Sequence, residues 1–455
     1  MSTEPADGTP RNPYRVNAPA DILSLVPHTL GFEPRESLVL MALCGGRLGA
    51  TLRLDLPPGP GREPRRGSGK GPRTQPAVKA AANAAYAATA CRFLTSDSEA
   101  DGVLLALYTD LAWKDPARPP YRPLVRRLEK DLAAAGIPLQ DGWLVGPETW
   151  RDYFCTQPDC CPWPGAPRSQ IADSMLNTEL VYRGSAFASS LETAVGGSFP
   201  TQWPNRREVA DSQARFGGQL AGRWCERDQF HRTLGLWGEC FAGGGPEGGA
   251  DPYAEDTEGA GDPDARSGSR LHSGSEYAGF LLASLCDRGI RDALLVLAAV
   301  GEHAAVYGAE ANGLVRPQAH PVVLPGGARG DAHESGAVPL LPRSRARSVA
   351  AADFRRILVG RGDAPDWKVL DRAHAVFSDL VPAADREAKA ALLSLLAWME
   401  WARGRGSRAH VHLQHALDAC PGYRLALLLH ELLGTGILPD WTGSREGSWP
   451  GTPEN

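Results

Sequence analysis

Apolar and polar positions follow two different rhythms along this chain, and the change of rhythm divides it. Near the start, Pro19 sits where a helix begins, Asn17 is placed to cap it, and Ile22, Leu23, Leu25 and Val26 give it an apolar side. Pro27 interrupts that helix, and Gly31 supplies a stop. Residues 37–43 (SLVLMAL) and 51–56 (TLRLDL) are apolar runs around a Gly-containing segment, the pattern of a β-hairpin. In the second run Leu52, Leu54 and Leu56 share one face, while Arg53 and Asp55 share the other. An Ala-rich helix is expected over 77–94. Residues 102–109 (GVLLALYT) are almost continuously apolar, which suits a central strand covered on both faces. A helix over 121–135, stopped by Gly136, and a strand over 139–145 complete the series. This order predicts an α+β or α/β domain over 14–150.

Beyond residue 150 the period becomes helical. Residues 151–240 read as a Cys/Pro/Trp-rich loop followed by helices, and 271–438 as an all-α domain whose first helices join near Asp287, Arg288 and Gly289. Three segments lack periodicity and are expected to be disordered insertions: the basic stretch 57–76, the acidic stretch 241–270 and the Pro/Gly-rich stretch 313–347. Residues 1–13 and 439–455 read as flexible tails.

Within the helical part, residues 390–423 have the spacing of a tetratricopeptide repeat. Leu393, Ala397, Ala409, Leu413 and Ala416 fall at its packing positions, and Pro421 closes the unit. Small Ala397 and Ala409 let two antiparallel helices approach, and Leu413 and Ala416 fill the groove. Glu400 departs from the pattern, standing where an aromatic residue is usual. A single repeat cannot bury its own face, so 372–380 and 423–433 are expected to flank it.

Composition narrows the function classes. The chain has 455 residues, long enough for two or three domains, with 51 glycines and 38 prolines that are unevenly spread and enriched in the insertions. Its formal net charge is −5, so no global basic character points to nucleic acid. The start is polar and lacks the apolar core of a secretory signal, and the longest apolar run, 293–300, is far too short to span a bilayer. The nine scattered cysteines fit reduced thiols in a cytoplasm.

Most catalytic patterns fail on inspection. Gly69-Lys70 lacks the glycine and hydroxyl residue of a phosphate loop, since Pro64 and Gly71 stand there. The GxGxxG match at 243–248 has no strand before it. His430-Glu431 and His333-Glu334 lack the second histidine of a zinc protease, and no G-x-S-x-G is present. The basic loop of Arg62, Arg65, Arg66, Lys70 and Arg73 has no interleaved aromatic residue and reads as a solvated linker. His410, His412 and His415 share a helix, but no carboxylate has the matching spacing, and Trp398 and Trp401 read as core. The strongest local signal is Cys155, Cys160 and Cys161 in FCTQPDCCPWPG. These thiols would suit zinc or redox chemistry, with a fourth ligand to come from Cys225, Cys240 or His231, or would simply pin the loop as small apolar groups.

Several segments together resemble the actinobacterial domain-of-unknown-function family 4192. They are 18–23 (APADIL), Val26-Pro27, 30–32 (LGF), 37–40 (SLVL) and 53–57 (RLDLP), then 101–105 (DGVLL), 108–110 (YTD), 160–162 (CCP), 395–398 (LLAW) and 421–426 (PGYRLA). The resemblance implies a source and a compartment; it carries no activity, cofactor or catalytic residue. The expectation for function is a non-catalytic cytoplasmic interaction or regulatory protein, using the repeat-like region to bind a protein partner, with no cofactor and no membrane or nucleic-acid partner. The alternative is an enzyme or small-ligand binder with its site at the strand ends of the N-terminal domain, near Thr109 and Asp110. A cysteine-loop zinc or redox sensor is the third reading.

Overall fold

The computed structural model describes residues 18–57, 76–97, 99–197, 199–200, 202–242, 274–327, 344–444 and 446–451. Most of the basic insertion, nearly all of the acidic one, residues 328–343 of the third, and the N-terminal tail with Asn17 lie outside them. The chain forms two compact units that meet in sequence at Ala194 and Val195. The division differs from the expected one because 151–194 belongs with the sheet, whereas 195–242 packs with the later helices.

The first unit is a mixed six-stranded sheet with helices on both faces. Its elements are α1 (Pro19–Leu30), β1 (Ser37–Cys44), β2 (Arg47–Asp55), α2 (Pro76–Leu94), β3 (Gly102–Tyr108), α3 (Arg122–Ala134), β4 (Leu139–Val145), β5 (Thr149–Asp152), β6 (Ala166–Pro167), α4 (Ser169–Ala172), α5 (Met175–Tyr182) and α6 (Leu191–Gly196), which runs into the second unit. The strand order is β2-β1-β3-β4-β5-β6, with β3 and β4 the parallel pair. Side chains alternate cleanly. Leu38, Leu40, Val103, Leu105 and Leu107 face α2 and α3, whereas Val39, Met41, Leu104, Ala106 and Tyr108 face α1. This explains why 102–109 is apolar throughout: β3 is central and covered on both sides.

Local signals account for the ends of these elements. The expected cap at Asn17 is replaced by Ala18, whose extended backbone precedes Pro19 without a side-chain cap. Gly31 stops α1 in the left-handed region (φ 76°), its N–H donating to the Pro27 carbonyl at 2.8 Å. Pro27 stays inside the helix and is buried. The hairpin turn is shorter than expected, with Gly45 and Gly46 both at positive φ, so β2 begins at Arg47.

The second unit is helical: α7 (Arg206–Gln219), α8 (Arg227–Ala242), α9 (Ser275–Ser284), α10 (Arg288–Val300), α11 (Glu302–Ala311), α12 (Ser344–Leu358), α13 (Trp367–Leu380), α14 (Arg386–Ala402), α15 (Gly406–Ala419) and α16 (Arg424–Gly434). Its core is one continuous cluster that runs from Trp203 to Trp441. Asp287, Asp366 and Asp385 cap α10, α13 and α14 by accepting from backbone N–H groups. Among the described residues, no helix is long and apolar enough to cross a membrane.

Two segments expected to be irregular are held by polar contacts instead. Residues 313–327 lie along α8: Arg227 N–H donates to the Arg316 carbonyl, Val323 N–H to Oε1 of Gln229, and His320 pairs with Glu226 at 2.7 Å. After Pro439 the chain makes a short 3-10 turn that buries Trp441, whose indole N–H donates to the Ala402 carbonyl at 2.8 Å. Tryptophans, not periodicity, tie this segment down, so it reads as a tail in sequence.

Candidate functional site

Three places concentrate chemistry: a cavity in the first unit, the cysteine loop, and a buried charged cluster on α14. The cavity measures about 300 Å³ and opens at the ends of the parallel strands, beside Tyr108 and Val145. Parallel strands end with their backbone exhausted, and the loops that follow leave a crevice there. Leu23, Ile171 and Phe187 form its apolar wall, and Glu33, Arg168 and Asn177 supply polar groups. Arg168 pairs with Glu33 and also donates to the Gly146 carbonyl at 3.2 Å, so its guanidinium is aimed from both sides. His28 lies outside the lining but contacts two residues that form it, Asn177 and Phe187. Its ring nitrogens lie 2.9 Å from Ser185 Oγ and 2.9 Å from Asn177 Oδ1, and its ring meets Phe187 edge-on at 4.8 Å. Burial pushes the Tyr108 phenol up, so it stays neutral.

The strand-end residues singled out by sequence have another job. Thr109 Oγ1 and the Asp110 N–H both donate to Oε1 of Glu36, at 3.2 and 2.7 Å, while Glu36 itself sits at φ 43°. They fix the turn after β3 and do not line the cavity. Arg168, Glu33 and His28 were missed because they come from separate loops and a helix, with no motif to join them.

The cysteine loop connects β5 to β6. Its thiols are gathered as expected: the Sγ atoms of Cys155, Cys160 and Cys161 all lie within 4.8 Å of one another. A backbone hydrogen bond from Gln157 and hydrogen bonds from the neighbouring thiols favour the Cys155 thiolate, whereas burial and those neighbours push Cys161 up to about 12. No fourth ligand joins them among the described residues. The three proposed donors all have partners of their own in the second unit. Cys225 lies 3.1 Å from Asp287 Oδ1, His231 lies 3.4 Å from Glu310, and Cys240 sits against Tyr277.

Ala397 of α14 and Ala409 of α15 are fully buried, and α14 packs on α15. Glu400, the misfit, is buried among two arginines and a histidine. Its Oε1 lies 2.8 Å from Arg403 and 3.0 Å from Nε2 of His374, and its Oε2 lies 4.0 Å from Arg405. Burial alone would raise this carboxyl; His374, Arg403 and Arg405 outweigh it and hold the group well below the usual carboxylate range. Of the three helical histidines, His412 is buried beside Phe199, and burial pulls it down to about 3. His410 instead packs against His430 and meets Gln414, so the trio does not form a metal site. Trp398 and Trp401 are core, as expected.

The family model for a domain of unknown function, DUF4192, matches residues 19–310 and 346–440, most of the chain and both units. The chain belongs to the DUF4192 family. Within the family match lie the cavity, the cysteine loop and the Glu400 cluster. No curated protein and no solved structure matches the chain.

Proposed function

We propose that the N-terminal unit of this DUF4192 protein binds a small, largely apolar molecule that carries one polar end group. The observation that carries this reading is the cavity at the ends of β3 and β4, with an apolar wall and the Arg168–Glu33 pair at its polar side. A volume of about 300 Å³ suits a compact ligand. A carboxylate or amine on it would exchange with one partner of the ion pair, which is a third or less exposed. Both nitrogens of His28 are committed to Ser185 and Asn177, which favours binding over acid–base chemistry.

Partner binding by the repeat-like hairpin has less support. A repeat array presents the inner faces of its helices to a partner, whereas every residue of α14 from Ala390 to Ala402 is buried.

A thermal-shift screen of small aliphatic and aromatic carboxylates and amines tests the ligand reading. Ala172, an exposed residue lining the cavity, provides the control, because Ala172→Trp would fill it. The expected result is a compound that raises the melting temperature of the wild type and leaves Ala172→Trp unmoved. Compounds that shift both proteins equally, or none that shifts the wild type, would sink it.

A further inference from the structure

We propose that Cys155, Cys160 and Cys161 form a three-thiolate site for one zinc ion, with the fourth coordination position left to an exchangeable ligand. The spacing is that of a coordination sphere. Sulfurs bonded to one tetrahedral zinc at about 2.3 Å stand about 3.8 Å apart. Cys160 and Cys161 Sγ are already 3.8 Å apart, and Cys155 Sγ completes a group spanning at most 4.8 Å.

The loop backbone is fixed independently of these thiols. Oδ1 of Asp152 accepts from the N–H groups of Phe154 and Cys155 at 2.7 and 2.8 Å, and Cys161 N–H donates to the Gln157 carbonyl at 2.9 Å. The ends of the loop are joined by the pairing of β5 with β6. Ligand entropy is therefore largely lost on folding, before any metal arrives.

Arg151 provides the second, independent observation. It is 7% exposed and packed against Trp113 and Trp163, whose ring centroids lie 4.9 and 5.0 Å from its guanidinium carbon. One of its nitrogens donates to the carbonyls of Cys155 and Cys161, at 3.4 and 3.2 Å. Its Nε and Nη1 have no hydrogen-bond partner, and no described carboxylate pairs with it. A buried cation without an anion is costly. Zinc binding would supply the anion: three thiols release three protons to solvent, and one Zn²⁺ with three thiolates carries a net charge of −1. The loaded loop thus neutralises the guanidinium that holds two of its ligand residues. With three protein ligands and an exposed Cys160, the fourth position faces solvent and takes water or an external thiolate.

Cobalt(II) is the probe, added to the reduced full-length chain without oxygen. The expected result is a sulfur-to-cobalt charge-transfer band with the visible bands of a tetrahedral ion, complete at one equivalent and bleached by one equivalent of zinc. Cys160→Ser, at the exposed ligand, should weaken cobalt binding at least tenfold. Arg151→Met should weaken it while leaving the tetrahedral spectrum in place. In the wild type, zinc should slow alkylation of Cys160 by iodoacetamide at least tenfold, a reading that needs no variant. Absence of the charge-transfer band, an unchanged titration in Cys160→Ser, or alkylation of Cys160 that ignores zinc would each overturn the proposal.

Discussion

The guanidinium of Arg403 donates to Oε1 of Glu400 at 2.8 Å, one helical turn away on α14, and both side chains are at least 95% buried. The same guanidinium reaches Asp371 on α13 at 2.5 Å, and Arg405 stacks on Trp449 at 4.1 Å. The cluster therefore links three parts of the helical unit: α13, α14 and the segment after Pro439. Within it, Glu400 and Asp371 are the two carboxylates that pair with Arg403.

Removing the Glu400 carboxylate should lower stability. Glu400→Gln leaves Arg403 beside an uncharged amide with Asp371 as its remaining carboxylate, so the cost stays below about 3 kcal/mol, the figure for a fully uncompensated buried charge. Urea unfolding should show this as a lower midpoint for Glu400→Gln, although Arg403 keeps its pairing with Asp371. A Glu400→Gln variant as stable as wild type would show that the pair contributes nothing.

Acid should destabilise the helical unit well above the range where ordinary carboxylates titrate. His412 and His374 are pulled below the usual histidine value by burial, so the unfolded chain binds protons that the folded one refuses. Their contribution is complete above about pH 6.5 and is lost as pH falls toward the folded values, at up to about 1.4 kcal/mol per pH unit for each group. Glu400, held low, adds a loss of the same sign below about pH 4.5. Urea midpoints at pH 7, 6 and 5 should fall steadily, and His412→Leu should flatten the slope. A flat wild-type profile over that range would contradict the burial of neutral histidines.

Two glycines should respond to alanine in opposite directions. A Cβ on Gly279 of α9 would sit 2.4 Å from Ser212 Cβ and 2.8 Å from backbone atoms of α7, which cannot move aside easily. Gly279→Ala should lose about 2 kcal/mol through overpacking. Gly238, inside α8, has open space at the Cβ position, and alanine there should gain about 0.5 kcal/mol by restricting the unfolded chain. Thermal or urea unfolding of the two variants checks both signs.

Asn177 and Phe187, which line the cavity, both contact His28. Its contacts with Ser185, Asn177 and Phe187 hold residues 183–188 against α1, joined also by the backbone pairing of Phe32 with Ala188. His28→Ala should cost about 1 to 2 kcal/mol from two lost side-chain hydrogen bonds. It should also speed amide exchange locally over 183–188. Unchanged exchange there would mean the segment is held without the histidine.

Much of the fold could be read from the chain. Strands β1 and β3 carry apolar, leucine-rich runs that leave little choice, and Gly31 and Gly136 end helices where a left-handed residue is needed. The packing positions Ala397 and Ala409 were legible for the same reason: helical spacing puts small residues on one face before any tertiary contact is known. The cysteine trio was visible because all three thiols come from one short loop. Local periodicity and short-range spacing settled these features.

Tertiary structure alone decided the rest. Strands β5 and β6 are too short to carry a period, and they become strands only because β4 offers an unpaired edge. The cavity collects Glu33, Tyr108, Arg168 and Asn177 from distant parts of the first unit, so no spacing could have announced it. Glu400 looked like an error in a repeat until His374, Arg403 and Arg405 surrounded it. A buried charge is intelligible only with its partners, and its partners are chosen by the fold.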